Sequence, residues 1–263
     1  MAKFWLENDE VRSDEDLSKF DRWQLKEIHF GLENCVNVNI YANPRYIGDQ
    51  MREIRLGLEH GVDISIYAKP EFNENQMNQI RLGLEHNVDV SIYAKVEFDF
   101  PQMNQICLGL EHRVDISAYA KPEFKGDQME EIRLGLEHGV DVSGYAKPEF
   151  NYYKMQLIRF GLEYGLNVGI YAKPEFNVDQ VEQILLGLEH KVDAEIYAKL
   201  EFDGHQMEEI RLGLEHGVDA SNYAKPELEF YKMKEIRKDL ERMLHTSKSK
   251  SDKKTETSSI NVF

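Results

Sequence analysis

The chain has 263 residues, of which 48 are Asp or Glu and 32 are Lys or Arg, so its formal net charge is −16 at neutral pH. Residues 246–263 carry a net +2, which leaves −18 on residues 1–245. Such acidity disfavours direct binding to nucleic acid and to anionic membranes, because both require clustered Lys and Arg. It favours a basic protein partner, or it simply keeps a repetitive chain soluble.

A unit of 26 residues recurs eight times along the chain without an insertion. A fixed period of this length is typical of stacked helical repeats and not of a globular enzyme core. The sequence therefore predicts an all-α fold, an α-solenoid of eight 26-residue two-helix repeats with terminal capping helices. The register is marked by the glycine of Gly-Leu-Glu and the tyrosine of Tyr-Ala: Gly31, Gly57, Gly83, Gly109, Gly135, Gly161, Gly187 and Gly213; Tyr41, Tyr67, Tyr93, Tyr119, Tyr145, Tyr171, Tyr197 and Tyr223.

Four segments follow one another along the chain. Residues 1–20 predict an acidic N-terminal cap, residues 21–228 hold the eight repeats, and residues 229–245 predict a C-terminal capping helix with a charged outer face. Residues 246–263, rich in Ser, Lys and Thr, predict a disordered tail. The first residues lack the apolar run of a signal peptide, and no stretch is apolar enough to predict a membrane span.

Within one unit, the sequence from Phe72 to Val96 predicts a helix, a tight turn, a short second helix and a loop. Asn73 and Gln76 form a capping box, and Asp89 is the expected cap of the second helix. The other capping boxes, and the glycines suited to a left-handed C-cap, are these: Asp21 with Gln24, Asp99 with Gln102, Asn177 with Gln180 and Asp203 with Gln206; Gly61, Gly139, Gly165 and Gly217.

The glycine inside the first helix of each unit requires a reason, because glycine there costs roughly 0.5–1 kcal/mol relative to alanine. We expect the close approach of another helix to compensate for this cost. The tyrosine of each unit is expected to be half-buried, with its ring in the core and its hydroxyl bonded at the surface. The alternative for the tyrosines is an exposed aromatic stripe.

The pattern Gln-Met-x-x-Ile-Arg-x-Gly-Leu-Glu, then Val-Asp-x-x-x-Tyr-Ala-Lys-Pro-x-Phe, is clearest from Gln50 to Phe72. It resembles a tandem repeat of proteins from gut Firmicutes and their mobile elements, and the resemblance extends from Gln24 to Met233. The resemblance implies a repeat scaffold and no particular activity. The chain departs from the pattern at Cys107 and Leu185 (usually Arg), Val96 and Leu200 (usually Pro) and Val181 (usually Met).

Histidine, glutamate and arginine recur near the end of the first helix. A metal ladder is disfavoured, since zinc ligands lie about 2.0–2.1 Å from one ion whereas equivalent positions of neighbouring helices are about 8–10 Å apart. We expect His to interact with the helix dipole and Arg to pair with Glu at i, i+4. A catalytic carboxylate pair is the alternative. The residues are His60, His86, His112, His138, His190 and His216; Glu33, Glu59, Glu85, Glu111, Glu137, Glu163, Glu189 and Glu215; Arg55, Arg81, Arg133, Arg159 and Arg211.

The first turn of the first helix varies most between units, so the scaffold does not dictate its residues. Several units place large aromatic residues there, and we expect these to form one row along an edge of the stack. Exposed aromatic residues are typical of protein-binding hot spots, whereas the alternative is packing onto the preceding loop. The candidate partner-binding residues are Trp23, Phe100, Tyr152, Tyr153, Phe230 and Tyr231.

These patterns favour a non-enzymatic, monomeric, cytoplasmic scaffold that binds a basic protein surface, with no cofactor, metal or catalytic residue. Cys35 and Cys107 lie about three units apart and are expected to be free thiols. Three alternatives stay open. The acidic chain could mimic nucleic acid and inhibit a defence nuclease, such as a CRISPR effector; the unit from Tyr152 to Tyr164, which departs most from the pattern, could hold a cryptic enzyme site; or the chain could form filaments end to end.

Overall fold

The computed structural model describes the backbone of residues 18–258 and the side chains of residues 18–247. Most of the predicted N-terminal cap therefore lies outside the described residues. The described residues form helices and turns, with no strand among them, which confirms the all-α repeat fold. The chain divides into two compact units, Met1–Glu137 and His138–Phe263.

Each repeat contributes one α-helix and, in most cases, one short 3₁₀ segment. In the first unit these are α1 (Arg22–Glu33), η1 (Val38–Ile40), α2 (Gly48–His60), η2 (Ile64–Ile66), α3 (Glu74–Glu85), η3 (Val90–Ile92), α4 (Phe100–Glu111), η4 (Ile116–Ala118) and α5 (Gly126–Glu137). In the second unit they are α6 (Tyr152–Glu163), η5 (Val168–Ile170), α7 (Val178–Glu189), η6 (Ala194–Ile196), α8 (Gly204–Glu215), η7 (Ala220–Asn222) and α9 (Phe230–Ser258).

Within each unit, every α-helix contacts the next one along the chain. The contact face repeats at i, i+3, so that Met51 and Ile54 of α2 are fully buried, as are their equivalents in α3 to α8. This spacing places both side chains on one helical face. No helix in the described range is long and apolar enough to cross a membrane.

The predicted capping boxes are confirmed, and the glutamine of each box also connects one repeat to the next. In α1 the backbone N–H of Gln24 donates to Asp21 Oδ1 at 2.9 Å, while Gln24 Oε1 accepts from the backbone N–H of Asp21 at 2.7 Å. Its side-chain Nε2 donates to the Tyr46 carbonyl at 2.5 Å. One buried side chain therefore fixes both the start of its own helix and the loop that leads into the following helix.

The predicted glycine C-caps are also confirmed, because Gly61, Gly139, Gly165 and Gly217 have φ between 67° and 75°. The second helix of the unit is shorter than the sequence suggested. It is a three-residue 3₁₀ segment that begins after an aspartate cap: Asp63, for example, accepts from the Ser65 amide at 3.0 Å. At the equivalent place in the repeat that follows α5, residues 143–145 form a turn instead.

The close neighbour of the helix glycine is the 3₁₀ segment of its own repeat together with the tyrosine that ends it, so the expected approach of another helical element is confirmed. A Cβ added to Gly57 would lie 1.9 Å from Tyr67 Oη. The Tyr67 hydroxyl donates to the Glu53 carbonyl at 3.0 Å. The tyrosines are fully buried, including their hydroxyl groups, and this corrects the prediction that the hydroxyl would be bonded at the surface.

The last helix also differs from its prediction. Helix α9 continues to Ser258, whereas the sequence predicted a capping helix that ends at His245 and a disordered tail from residue 246. Lys and Ser have ordinary helix propensities, and nothing in residues 246–258 is a Gly or Pro that would stop a helix already begun. Residues 259–263 lie outside the described range.

The contact between tyrosine and glycine is testable at α8. Gly213→Ala would place its Cβ 1.8 Å from Tyr223 Oη, so we expect the free energy of unfolding to fall by about 1–3 kcal/mol. Tyr223→Phe alone should cost about 1 kcal/mol through the lost hydrogen bond. In the double variant the phenyl ring leaves space for the new methyl group, so its loss, measured by urea unfolding, should be smaller than the sum. Strict additivity would contradict this account.

Two equivalent tyrosines allow a matched comparison. Among the residues that the structure describes, the Tyr93 hydroxyl is buried without a hydrogen-bond partner, whereas the Tyr67 hydroxyl donates to the Glu53 carbonyl. Tyr67→Phe should therefore lower the free energy of unfolding by about 1 kcal/mol, and Tyr93→Phe should lower it less or raise it. Chemical denaturation of both variants measures the difference, and an equal loss at both sites would be the opposite result.

Candidate functional site

The repeated Arg and Glu residues form networks that connect neighbouring helices. Arg55 of α2 donates from Nε to Glu27 Oε2 of α1 at 3.0 Å and from Nη1 to Glu59 Oε1 of its own helix at 2.6 Å. The i, i+4 pair predicted from the sequence is therefore present, together with a second contact between helices. Equivalent networks join Arg81 to Glu53 and Glu85, Arg133 to Gln105 and Glu137, Arg211 to Gln183 and Glu215, and Arg237 to Glu209 and Glu241.

Each repeated histidine lies beside the glutamate of the following repeat. His60 Nδ1 is 2.7 Å from Glu85 Oε1, and since a carboxylate accepts hydrogen bonds, the proton is on Nδ1. The same pairing, at 2.6–2.7 Å, occurs at His86, His112, His138, His190 and His216. No group of three or more His, Cys, Asp or Glu side chains that could hold a metal ion occurs in the described part of the chain.

These contacts shift the pKa of the glutamates. Burial raises the pKa of the Glu85 carboxyl, but hydrogen bonds from His60 and Arg81 outweigh burial and hold it below its ordinary value. The charge of Arg81 acts in the same direction. Four further glutamates have a lowered pKa for the same reasons: Glu137, Glu163, Glu215 and Glu241.

The lowered pKa values predict acid sensitivity. A carboxyl with a depressed pKa in the folded state stabilises the fold above its unfolded pKa, and this contribution is lost as pH falls through the folded pKa. We expect the free energy of unfolding to decline once pH drops below 4.5, the ordinary glutamate value. Urea unfolding at a series of pH values measures the decline. Glu85→Gln should make it shallower, and an identical pH profile in that variant would contradict the assignment.

The six aromatic residues singled out from the sequence lie in the first turns of four helices. Trp23, Tyr153 and Tyr231 expose 54%, 53% and 51% of their surface. Phe100 and Phe230 are also exposed, and Tyr152 is half-buried. The alternative of packing onto the preceding loop therefore fits Tyr152 best, because the other five residues are exposed.

Each aromatic cluster is local to one helix start. The Tyr152 and Tyr153 rings lie 3.9 Å apart in α6, and the Phe230 ring in α9 lies 6.0 Å from Tyr231. The Phe230 ring also lies 5.2 Å from His205 of α8, so the first turns of successive helices are neighbours. Within each unit the first turns of successive helices lie next to one another, but aromatic residues occupy only some of them. They are found on α1 and α4 in the first unit and on α6 and α9 in the second, so the predicted row is not continuous.

An acidic hollow separates the two aromatic clusters of the second unit. It encloses about 200 Å³ between α7 and α8 and is lined by Asp179, Glu182, Gln183, Gly204, His205 and Glu208. Gly204 packs against Asp179 so closely that an added Cβ would lie 2.7 Å from the aspartate Cβ. Carboxylates between exposed aromatic rings suit a cationic group more than an anionic one.

Sequence reasoning missed two aromatic residues on α6. Phe160 is 37% exposed and Tyr164 is 73% exposed, and both follow Tyr153 on the same face of the helix, at i+7 and i+11. The signal was available in the sequence, because Tyr164 occupies the repeat position of the histidines and Phe160 that of a leucine. These residues form an exposed aromatic stripe: Tyr153, Phe160 and Tyr164.

Comparison of the chain with family models, with curated proteins and with solved structures finds no match. Any functional assignment therefore depends on the geometry and charge of the chain itself.

Proposed function

We propose that this chain is a non-enzymatic scaffold that binds a basic protein partner. The observation that carries the proposal is the exposure of Trp23, Tyr153 and Tyr231 at a helix position that other repeats fill with Asp, Asn, Pro or His. The fold does not require an aromatic residue there, since the repeats that lack one form the same helix. Large exposed aromatic side chains that the fold does not need are characteristic of binding surfaces.

The charge of the surface supports a basic partner. One exposed aspartate caps the 3₁₀ segment or turn of most repeats, and hydrogen bonds from the serine two residues later hold its pKa below the ordinary value. These carboxylates therefore remain ionised well below neutral pH. They are Asp63, Asp89 and Asp115 in the first unit, and Asp141 and Asp219 in the second.

The repeated groups that could perform chemistry have structural partners, which supports a non-enzymatic function. The histidines bond to glutamates, most of the arginines join two helices, and most of the tyrosine hydroxyls donate to backbone carbonyls. The proposal includes a cytoplasmic location. Cys35 and Cys107 are free thiols, and free thiols suit a reducing compartment.

A library of short random peptides displayed on phage, selected on the immobilised protein, tests the proposal. We expect enrichment of Lys and Arg, and a loss of selected peptides when Trp23, Tyr153 and Tyr231 are all replaced by Ala. The matched control is Val96→Ala with Leu200→Ala, because both residues are exposed, apolar and located in loops outside the first turns. The control should retain the selected peptides.

Salt separates this function from nucleic-acid mimicry. Screening shortens the Debye length from about 10 Å at 0.1 M to about 3 Å at 1 M salt, so a purely charge-based complex dissociates. Binding that depends on the aromatic residues should retain part of its affinity at the higher concentration. Complete loss at high salt with no effect of the aromatic substitutions would favour the mimic, and selected peptides with no excess of positive charge would refute the proposal.

A further inference from the structure

Among the described helix pairs within each unit, the α6–α7 interface is the one at which the acid, the arginine and the histidine of the network are all replaced; the α3–α4 interface, which has Gln79 and Cys107, keeps the His86–Glu111 pair. At a regular interface Arg81 bonds to Glu53, 28 residues earlier, and His60 bonds to Glu85, 25 residues later. At the α6–α7 interface the same spacings relate Leu157 to Leu185 and Tyr164 to Glu189. Leu157 replaces the acid, Leu185 replaces the arginine, and Tyr164 replaces the histidine.

These three replacements leave Glu189 without either of its usual partners. The glutamate at this position of α8, Glu215, pairs with Arg211 and His190. Glu189 makes no hydrogen bond or ion pair within the described residues, and it is exposed. Leu185 is buried and Leu157 is half-buried, so apolar residues replace the network within the α6–α7 interface. The Glu189 carboxylate remains exposed at the edge of that interface.

The free carboxylate lies next to the aromatic stripe of α6. Because histidines at the position of Tyr164 contact the glutamate of the next helix, Tyr164 and Glu189 are neighbours by register. Glu182 is a further exposed carboxylate of α7, and it follows Asp179 by three residues, so both are on one side of the helix. The α6–α7 face thus combines a stripe of three aromatic rings with three exposed carboxylates at a spacing of about 8–10 Å between helix axes.

The chemistry of this face matches a guanidinium group better than other common side chains. Arginine stacks on aromatic rings, and its planar fork pairs with a carboxylate in two hydrogen bonds. The chain's own arginines already stack on exposed rings, with Arg22 4.4 Å from the Trp23 centroid and Arg159 4.5 Å from the Phe160 centroid. Arg159 also donates to Glu163 of its own helix.

We propose that Tyr153, Phe160 and Tyr164 of α6, with Glu182 and Glu189 of α7, form the docking face for an arginine-bearing segment of the partner. This inference rests on the proposed function, because it specifies where and by which chemistry the basic partner binds. Leu157 and Leu185 are apolar and neighbours by register, so this interface does not use the Glu189 carboxylate, and the face is free for an external cation.

A variant that restores the regular repeat provides the test. Leu157→Glu, Tyr164→His and Leu185→Arg together introduce the residues found at other interfaces and leave the formal net charge unchanged. Because the same network occurs between α8 and α9, we expect the variant to fold with an unfolding midpoint at or above that of the parent chain. Its affinity for a peptide of alternating Arg and Ala, measured by calorimetry, should fall roughly tenfold or more.

The peptide series and a control separate the inference from the proposed function. The parent chain should bind the Arg peptide more tightly than its Lys counterpart, and should not bind its uncharged citrulline counterpart. Glu201→Gln with Glu227→Gln removes two exposed carboxylates of the same unit from other loops and should leave affinity nearly unchanged. Equal binding by the parent and the restored variant would overturn the docking face alone, whereas no binding of any basic peptide by the parent would overturn both.

Sedimentation of the parent and of the restored variant tests a second copy of the chain as the occupant. We expect the same sedimentation coefficient for both. A parent that associates with itself, and a restored variant that does not, would overturn the assignment to an arginine-bearing partner and identify the face as an interface between copies.

Discussion

The contact on which each repeat depends is the tyrosine hydroxyl seated against the helix glycine. Inside a helix the amide of Gly57 bonds to the carbonyl four residues earlier, that of Glu53, and the Tyr67 hydroxyl donates to the same carbonyl at 3.0 Å. Any side chain on Gly57 would occupy the place of the hydroxyl. The cost of a glycine in each helix is therefore offset by a buried ring and a satisfied polar group. The same contact fixes the position of the 3₁₀ segment along the axis of its helix.

The position of the 3₁₀ segment determines how one repeat packs against the next. Once the 3₁₀ segment is placed, the loop after it is held by a glutamine of the preceding helix start, as Gln24 holds the Tyr46 carbonyl. The next helix then begins in a fixed position, and its arginine reaches the acid of the helix before it, as Arg55 reaches Glu27. Buried ion pairs contribute little net stability relative to apolar contacts but are costly to break, so they favour one register over its alternatives.

The fold was predictable from the sequence to the extent that local rules decide it. The 26-residue period, the Asn73–Gln76 capping box and the left-handed glycine at Gly61 all follow from backbone sterics and hydrogen bonding within a few residues. The partner of the helix glycine was not predictable in this way, because Gly57 and Tyr67 meet only when the chain has folded back. The exposed first-turn position of Trp23 was anticipated from its variability, whereas the stripe through Phe160 and Tyr164 required the register between helices.

The repeated residues say little about function because their bonds are already used, so departures from the repeat are more informative. Cys107 and Leu185 both replace arginine, yet they differ in consequence. At Cys107 the acid position holds Gln79, and His86 still pairs with Glu111, so part of the network remains.

At Leu185 the acid, the arginine and the histidine are all replaced. Replacing only one member of a buried ion pair would leave a buried charge unpaired, at a cost of about 3–5 kcal/mol. The concerted change to Leu157, Leu185 and Tyr164 avoids that cost inside the interface and places an unpaired carboxylate beside an aromatic ring outside it, which is the arrangement expected where an external cation completes the network.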